Sequence, residues 1–490
     1  MNLKNLVLYG AGNRGKMLIQ LMDLCNLPIT AVVDSNTSLW GQKIGNHIIE
    51  SPDILRGREK ADICITAVSS LAIGEIKKRL KGEYKIEFND VSYLELIMAL
   101  YEKIDIDSLR HSQHLSANPI KAGKVSVIFD CAYGLVLGGV EEWTKGICSE
   151  FLRQGEYTPY ILTNYGDYSI PDELTNNILR VDVDKDAPFS IHNISQIMNC
   201  IEAYLPCILV TSKPEDALLA GKLLRKKYGD AIKVISGIRG GSDEIYQNYI
   251  DMRFCTDLYT CVSSDIRKNM ILRGTDPGKI FTMICPITCP DELLRDYAED
   301  SDRPIRLGYA GRLTVEQKRM DLMIRLISDL EDRNVNYDLE FAGEGDYAPV
   351  LQDFIIQNNC QNKIRLIGKI ENNRIPQFWQ TKDICINLAD YEGRSRSIAE
   401  SMANGAIPVV TATSGVNDDI VDGENGYIVE IGDYKAVADH VSHLDRNRDK
   451  LPQMGKAAYS ELKAKSSMED HYRFWQNMIA IVTGGAANAD

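Results

Sequence analysis

Glu392 and Glu400 bracket the stretch Glu392-Gly393-Arg394-Ser395-Arg396-Ser397-Ile398-Ala399-Glu400. The apolar run Ile384 to Leu388 before it reads as a strand, and the pattern from Ser397 to Asn404 reads as a helix. That order sets Glu392 in a loop and Glu400 about one turn inside the helix. The first amides of such a helix, from about Arg396 through Ser397 to Ile398, have no partner within it. They also carry the positive end of its dipole, so they suit an anion. Glu400 is placed to accept hydrogen bonds from ribose hydroxyls, and Glu392 to face a sugar.

Other residues converge on the same chemistry. Arg312 follows the strand Ile305 to Tyr309, and Lys318 comes shortly after it. Two cations near one strand end neutralise a diphosphate without a metal, each charge-assisted hydrogen bond contributing about 1.5–3 kcal/mol. Alone, the pair reads as solvated surface charge. In Phe341-Ala342-Gly343-Glu344-Gly345 a strand runs into glycines, which lets a ligand approach the backbone at Gly343; alone it reads as a tight turn. The segment Gly405 to Val410, with Gly415 and Asp422 to Tyr427, reads as the scaffold behind them.

These residues need a frame that gathers strand ends, and the chain repeats one. From residue 300 to 482 strands and helices alternate: Ile305 to Tyr309, Met320 to Arg333, Tyr337 to Ala342, Ala348 to Asn358, Lys363 to Ile367, Ile384 to Leu388 and Ile407 to Thr411, with a last helix Glu469 to Ile481. Alternation of this kind predicts a parallel sheet covered by helices, whose ligands sit at the strands' carboxyl ends. A second such unit spans 123–295, with strands at Val125 to Phe129, Ile208 to Thr211 and Lys233 to Ser236 and helices at Val140 to Arg153 and Glu215 to Tyr228. A first spans 1–115: strand Asn5 to Tyr9, then Gly10-Ala11-Gly12-Asn13-Arg14-Gly15, helix Lys16 to Cys25, and strand Ile29 to Val33 ending in Asp34. This is the order of a dinucleotide fold, in which Gly10, Gly12 and Gly15 admit a pyrophosphate and Asp34 takes ribose hydroxyls. The polar segment 110–124 reads as a linker and 286–304 as an interdomain crossing, while the tail from Gly484 reads as disordered. The expected fold class is α/β with three doubly wound Rossmann-like domains.

Across about 120 residues the order and spacing of these motifs resemble the donor domain of retaining glycosyltransferases of family 4, which have the GT-B fold. The family's Glu-x7-Glu element matches Glu392 and Glu400, and its diphosphate-binding Arg and Lys match Arg312 and Lys318. Gly138-Gly139-Val140-Glu141 is similar to the family's glycine-rich loop, which implies that Gly139 offers an amide to the donor phosphates. The resemblance covers residues 125 to 480. It implies that 123–295 is the acceptor domain, that 300–482 is the donor domain, and that a sugar passes with retention from a nucleoside diphosphate sugar to a glycan or lipid-linked acceptor, in surface polysaccharide assembly. The sequence departs from the family in two places. Ser236-Gly237-Ile238-Arg239-Gly240-Gly241 has no His, which leaves Arg239 for the acceptor side. Arg394 and Arg396 stand where uncharged residues are usual, and read either as phosphate or acidic-acceptor contacts or as solvent-facing charges. Residues 1–110 resemble the nucleotide-binding domain of bacterial sugar acyltransferases. A nucleotide or NAD(P) is a possible ligand there. The alternative activity is an NAD-dependent sugar-nucleotide oxidoreductase or a nucleotide-sensing protein, although the first unit has no Tyr-x-x-x-Lys pair for dehydrogenase chemistry.

Composition narrows the field. The 490 residues carry a net charge of -14, which argues against a nucleic-acid partner. Arg225-Lys226-Lys227 reads as a solvated helix face, which leaves at most peripheral membrane contact. The twelve cysteines show no Cys-x-x-Cys pair and read as free thiols of a reducing compartment. With no signal peptide or apolar span, the expected location is cytoplasmic. No metal site is expected and no cofactor is required for transfer: Asp182 and Asp184 lack other ligand signals, and His192 reads as a surface or capping residue.

Overall fold

The structure is a computed structural model that describes residues 5–58, 60–67, 70–109, 125–135, 138–164, 170–300 and 302–484. The expected linker at 110–124 and nearly all of the expected tail lie outside these residues. Three sheets form. The first contains β1 (Leu6–Tyr9), β2 (Ala31–Val33), β3 (Lys43–Ile44), β4 (His47–Glu50), β5 (Lys60–Ile65) and β6 (Glu87–Asp90), in the order β3-β4-β2-β1-β5-β6. The second contains β7 (Ser126–Cys131), β8 (Thr158–Thr163), β9 (Ile178–Arg180), β10 (Cys207–Thr211), β11 (Ile232–Ile238), β12 (Leu258–Cys261) and β13 (Ile280–Thr282), in the order β13-β12-β11-β10-β7-β8-β9. The third contains β14 (Ile305–Ala310), β15 (Tyr337–Ala342), β16 (Ile364–Gly368), β17 (Ile384–Asn387), β18 (Ile407–Thr411) and β19 (Tyr427–Val429), in the order β16-β15-β14-β17-β18-β19. The β1–β2, β7–β10 and β14–β17 pairings are parallel, whereas β3–β4 is antiparallel. Strands β1, β10 and β18 are buried at every residue, as expected of parallel strands covered on both faces.

Contacts divide the chain into two compact units. Residues 1–237, 243–259 and 479–490 form one, and residues 238–242 and 260–478 form the other. In the first unit, the N-terminal sheet shares a hydrophobic core with strands β7–β10. Leu6, Leu18, Leu96 and Tyr101 cluster with Ile128, Leu162, Ile197 and Leu224. Helix Tyr93–Tyr101 makes this weld, because its sequence is apolar around nearly its whole circumference. The Tyr101 hydroxyl donates to the Phe189 carbonyl at 2.7 Å, and Ser92 donates to Asp251. The 225–227 run is not simply solvated. Arg225 binds Asp257, Lys226 pairs with Glu102, and Lys227 pairs with Asp107 and Glu202. The core of the second unit lies between the third sheet and helices such as Met320–Asp332 and Tyr434–Arg446, around Leu307, Phe341, Ile386 and Val409.

Candidate functional site

The third sheet reverses its strand order between β14 and β17, and an open α/β sheet leaves a crevice at such a switch point. Arg312 and Lys318 follow β14, and Glu392 follows β17. The loops after β14 and β15 run backbone against backbone. The Gly311 amide donates to the Ala342 carbonyl at 2.9 Å, and the Leu313 amide to that of Glu344 at 2.9 Å. Gly343 has φ +151°, and a Cβ there would lie 1.8 Å from the Gly311 oxygen. This contact by itself requires the glycine, a structural reason that stands beside ligand approach.

A short segment before helix Met320–Asp332 is stitched to the loop after β17. The Asp390 amide donates to the Gln317 carbonyl at 3.0 Å, and Gln317 Nε2 donates to the Tyr391 carbonyl at 2.9 Å. Arg312, which is exposed, donates through Nη2 to Gln317 Oε1. Arg319 takes φ +53° and bonds both Asp321 and Asp390. The outcome is that Lys318 Nζ donates to Glu392 Oε1. Their side chains are only 13% and 11% exposed. The structure thus brings Arg312, Lys318 and Glu392 together. Gln317, Arg319 and Asp390, which set the spacing, lacked any recognisable motif.

Helix Arg396–Ala403 begins at the mouth of the same loop, with Ser395 as N-cap and no side chain capping it. The amides of Arg396, Ser397 and Ile398 therefore form its open first turn. Arg396 Nε donates to Glu400 Oε1 at 2.6 Å. Burial pushes the Glu400 carboxyl above its ordinary value, and the Arg396 charge opposes that rise. The two arginines diverge. Arg396 stays at the surface of the site, but Arg394 is neither a free phosphate contact nor a solvent-facing charge. Its side chain is 4% exposed and grips Asp419 through Nε at 2.8 Å and Nη2 at 3.0 Å.

The loop carrying Glu392 is also clamped by residues 238–242 of the same unit. A Cβ on Gly393 would lie 2.0 Å from the Arg239 oxygen, and one on Gly241 would lie 2.5 Å from the Glu392 oxygen. Arg239 therefore touches this loop through its backbone, while its Nη1 lies 3.7 Å from Cys285 Sγ. His471, on helix Met468–Val482, donates Nδ1–H to the Ile284 carbonyl at 3.0 Å. Burial, with the Arg239 charge second, pushes its pKa down to about 3, so the imidazole is neutral.

The remaining candidates lie in the first unit. Gly139 opens helix Gly139–Gln154 behind an extended Gly138, with no side-chain cap. In the N-terminal loop Gly10 has φ +117°, a Cβ on Gly15 would lie 2.1 Å from the Gly10 oxygen, and one on Gly12 would meet nothing. Gly10 and Gly15 thus serve the tight turn, whereas Gly12 leaves open approach to an uncapped helix start. The Asp34 carboxylate accepts from the amides of Ala11 and Asn36, each at 2.7 Å. No motif marks the acidic groups at the end of β7 and the start of the helix after β10. Burial pushes Asp130 up to about 7 and Asp216 up to about 6. Asp216 accepts from Tyr133, Asn193 and the Phe189 amide, a set that makes it a strut. His192 lies 3.6 Å from Asp182 at the surface. Among the described residues no His/Cys/Asp/Glu group is arranged to hold a metal ion, and no helix is long and apolar enough to cross a membrane.

Residues 291–461 match the family model described as Glycosyl transferases group 1. This segment is thus similar to glycosyltransferase group 1 domains. Protein CapJ of Staphylococcus aureus is 29% identical over 126 residues, covering 26% of this chain and 32% of that protein. The lipopolysaccharide 1,6-galactosyltransferase of Escherichia coli K12 is 24% identical over 246 residues, covering 49% of this chain and 66% of that protein. The chain thus spans less than two thirds of the length of either relative. Among solved structures, Anabaena Alr3699/HepE in complex with UDP-glucose superposes with a TM-score of 0.58 at 14% identity, covering 73% of this chain and 99% of that one. The fold is that of GT-B glycosyltransferases. The group 1 match contains Arg312, Lys318, Glu392 and Glu400.

Proposed function

We propose that the chain is a retaining glycosyltransferase of the family 4 type, moving a hexose from a nucleoside diphosphate sugar to a glycan or lipid-linked acceptor. The observation that carries this reading is the Lys318–Glu392 pair beside the open first turn of helix Arg396–Ala403. Arg312, Lys318 and the amides from Arg396 to Ile398 stabilise the charge that develops on the departing diphosphate. This is electrostatic catalysis by donors already in place. Glu392 holds the sugar through its hydroxyls, and Glu400 holds the ribose, with Arg396 bonded to its carboxyl. The transfer needs no protein nucleophile and no metal. The UDP-glucose in the Anabaena protein and the lipopolysaccharide activity of the Escherichia coli relative support a UDP-hexose donor and a surface-glycan acceptor. The protein works in the cytoplasm, with at most peripheral membrane contact. Incubation with UDP-, GDP- and ADP-hexoses, reading released nucleoside diphosphate and the anomer of the product, tests the reading. Release from one donor class with retained configuration is expected; no release from any donor, or an inverted product, contradicts it.

The N-terminal glycine loop favours a second ligand. Gly12 is open, and the helix it precedes is uncapped. We propose that this sheet, of the sugar-acyltransferase type, binds a nucleotide or NAD(P) through Gly10, Gly12, Gly15 and Asp34 and senses it rather than oxidising a sugar. Titration of the full chain is the fitting test, because residues 5–109 share their core with the second sheet. Binding of NAD to the full chain with hydride transfer would favour the oxidoreductase instead.

A further inference from the structure

One guanidinium ties together three segments around the Glu392 loop. Besides its forked pair with Asp419, Arg394 donates Nη1–H to the Cys285 carbonyl at 2.8 Å. Asp419 is itself 5% exposed, and its carbonyl accepts from Asn425 Nδ2 at 3.1 Å. The loop has little other freedom. Gly415, at φ +82°, leaves no room for a Cβ, which would come within 2.8 Å of the Gly393 oxygen and 3.1 Å of the Arg394 Cα. Glu392 is two residues from the guanidinium's backbone, and Arg396 opens the helix two residues after it. The loop's path is therefore fixed by the glycine clamps on one side and by a single buried cation on the other.

We propose that Arg394 is a positioning residue for Glu392: its fork on Asp419 and its third bond to Cys285 set the loop so that the carboxylate and the first helix amides present together to the donor. This rests on the role proposed above for Glu392. A lysine carries the same charge but lacks the planar fork, and a point charge cannot hold both Asp419 oxygens and the Cys285 carbonyl in one geometry.

The test uses the full chain with Arg394→Lys and Arg394→Met, each alone and with Glu392→Gln. Donor turnover is read as nucleoside diphosphate release, and hydrogen exchange is read at the backbone amides of residues 392–398. Arg394→Lys is expected to lower kcat about tenfold and Arg394→Met about 10²-fold, with the donor KM within threefold and exchange at 392–398 at least tenfold faster. In the Glu392→Gln background Arg394→Lys is expected to cost clearly less than it does alone, because the part of its effect that acts through the Glu392 carboxylate is already lost. If Arg394→Met fails to fold, Arg394→Lys still decides the matter. Unchanged exchange with kcat within twofold overturns the proposal, as does a full, additive loss in the Glu392→Gln background. Faster exchange in Arg394→Lys, with no turnover of any donor by the unaltered chain, upholds the positioning tie and counts against the transferase reading instead.

Discussion

The Lys318 ammonium rests on the Glu392 carboxylate, although the two residues come from loops after different strands on either side of the switch point. In the proposed transfer the pair couples a diphosphate contact to a sugar contact. A ligand bridging them adds phosphate oxygens for the ammonium and hydroxyl donors for the carboxylate, so neither charge is left alone. Lys318→Ala removes a donor aimed at the leaving group and is expected to lower transfer by about 10²-fold or more. Steady-state release of nucleoside diphosphate measures it, and near-normal turnover removes Lys318 from the site.

Gly393 is held by contact rather than by conformation. With its Cβ position 2.0 Å from the Arg239 oxygen, Gly393→Ala must shift either the 239–241 loop or Glu392. A loss in kcat of at least tenfold is expected, with stability reduced by about 1–3 kcal/mol, as for overpacking. Denaturant unfolding and kinetics on the same preparation check it. An alanine variant with wild-type turnover contradicts the clamp.

His471 makes stability depend on pH in a definite sense. Its folded pKa is pushed down to about 3, chiefly by burial and then by Arg239. A group with a depressed folded pKa contributes stability that is full above the unfolded value near 6.5 and is lost as pH falls toward the folded one. Below pH 6.5 the unaltered chain should therefore lose stability more steeply than His471→Gln, by up to about 1.4 kcal/mol per pH unit. Urea unfolding of both proteins at pH 7, 6 and 5 compares the slopes; parallel slopes contradict the prediction.

With Arg312, Lys318 and helix amides to balance the diphosphate, transfer is expected to survive a chelator at full rate. Complete loss on chelation, restored by manganese, contradicts the metal-free mechanism.

Much of the third sheet was legible. The strands Tyr337–Ala342 and Ile407–Thr411 fall where the apolar runs end at glycine or small residues, and helix Arg396–Ala403 starts one residue before the expected position. Glu392, Glu400, Arg312 and Lys318 stood out because their spacing is local to strand ends. Three kinds of feature did not. β8 contains Pro159, which argues against an interior strand, yet it pairs between β7 and β9. Helix Tyr93–Tyr101 is apolar on nearly every side, so it has no helical period to read. The role of Arg394 depends on Asp419, 25 residues away, and on Cys285, 109 residues away, a closeness that only the fold creates. Gly343 reads either as an opening for a ligand or as a tight turn, and its contact with Gly311 by itself demands a glycine.

The most direct test of the Lys318–Glu392 site is calorimetric titration of UDP, GDP and ADP into the unaltered chain, Lys318→Ala and Glu392→Gln. One nucleotide should bind the unaltered chain, Lys318→Ala should weaken that binding at least tenfold, and Glu392→Gln, which touches only the sugar, should leave it within threefold. Equal affinity in all three proteins, or no binding of any nucleotide, would contradict the account.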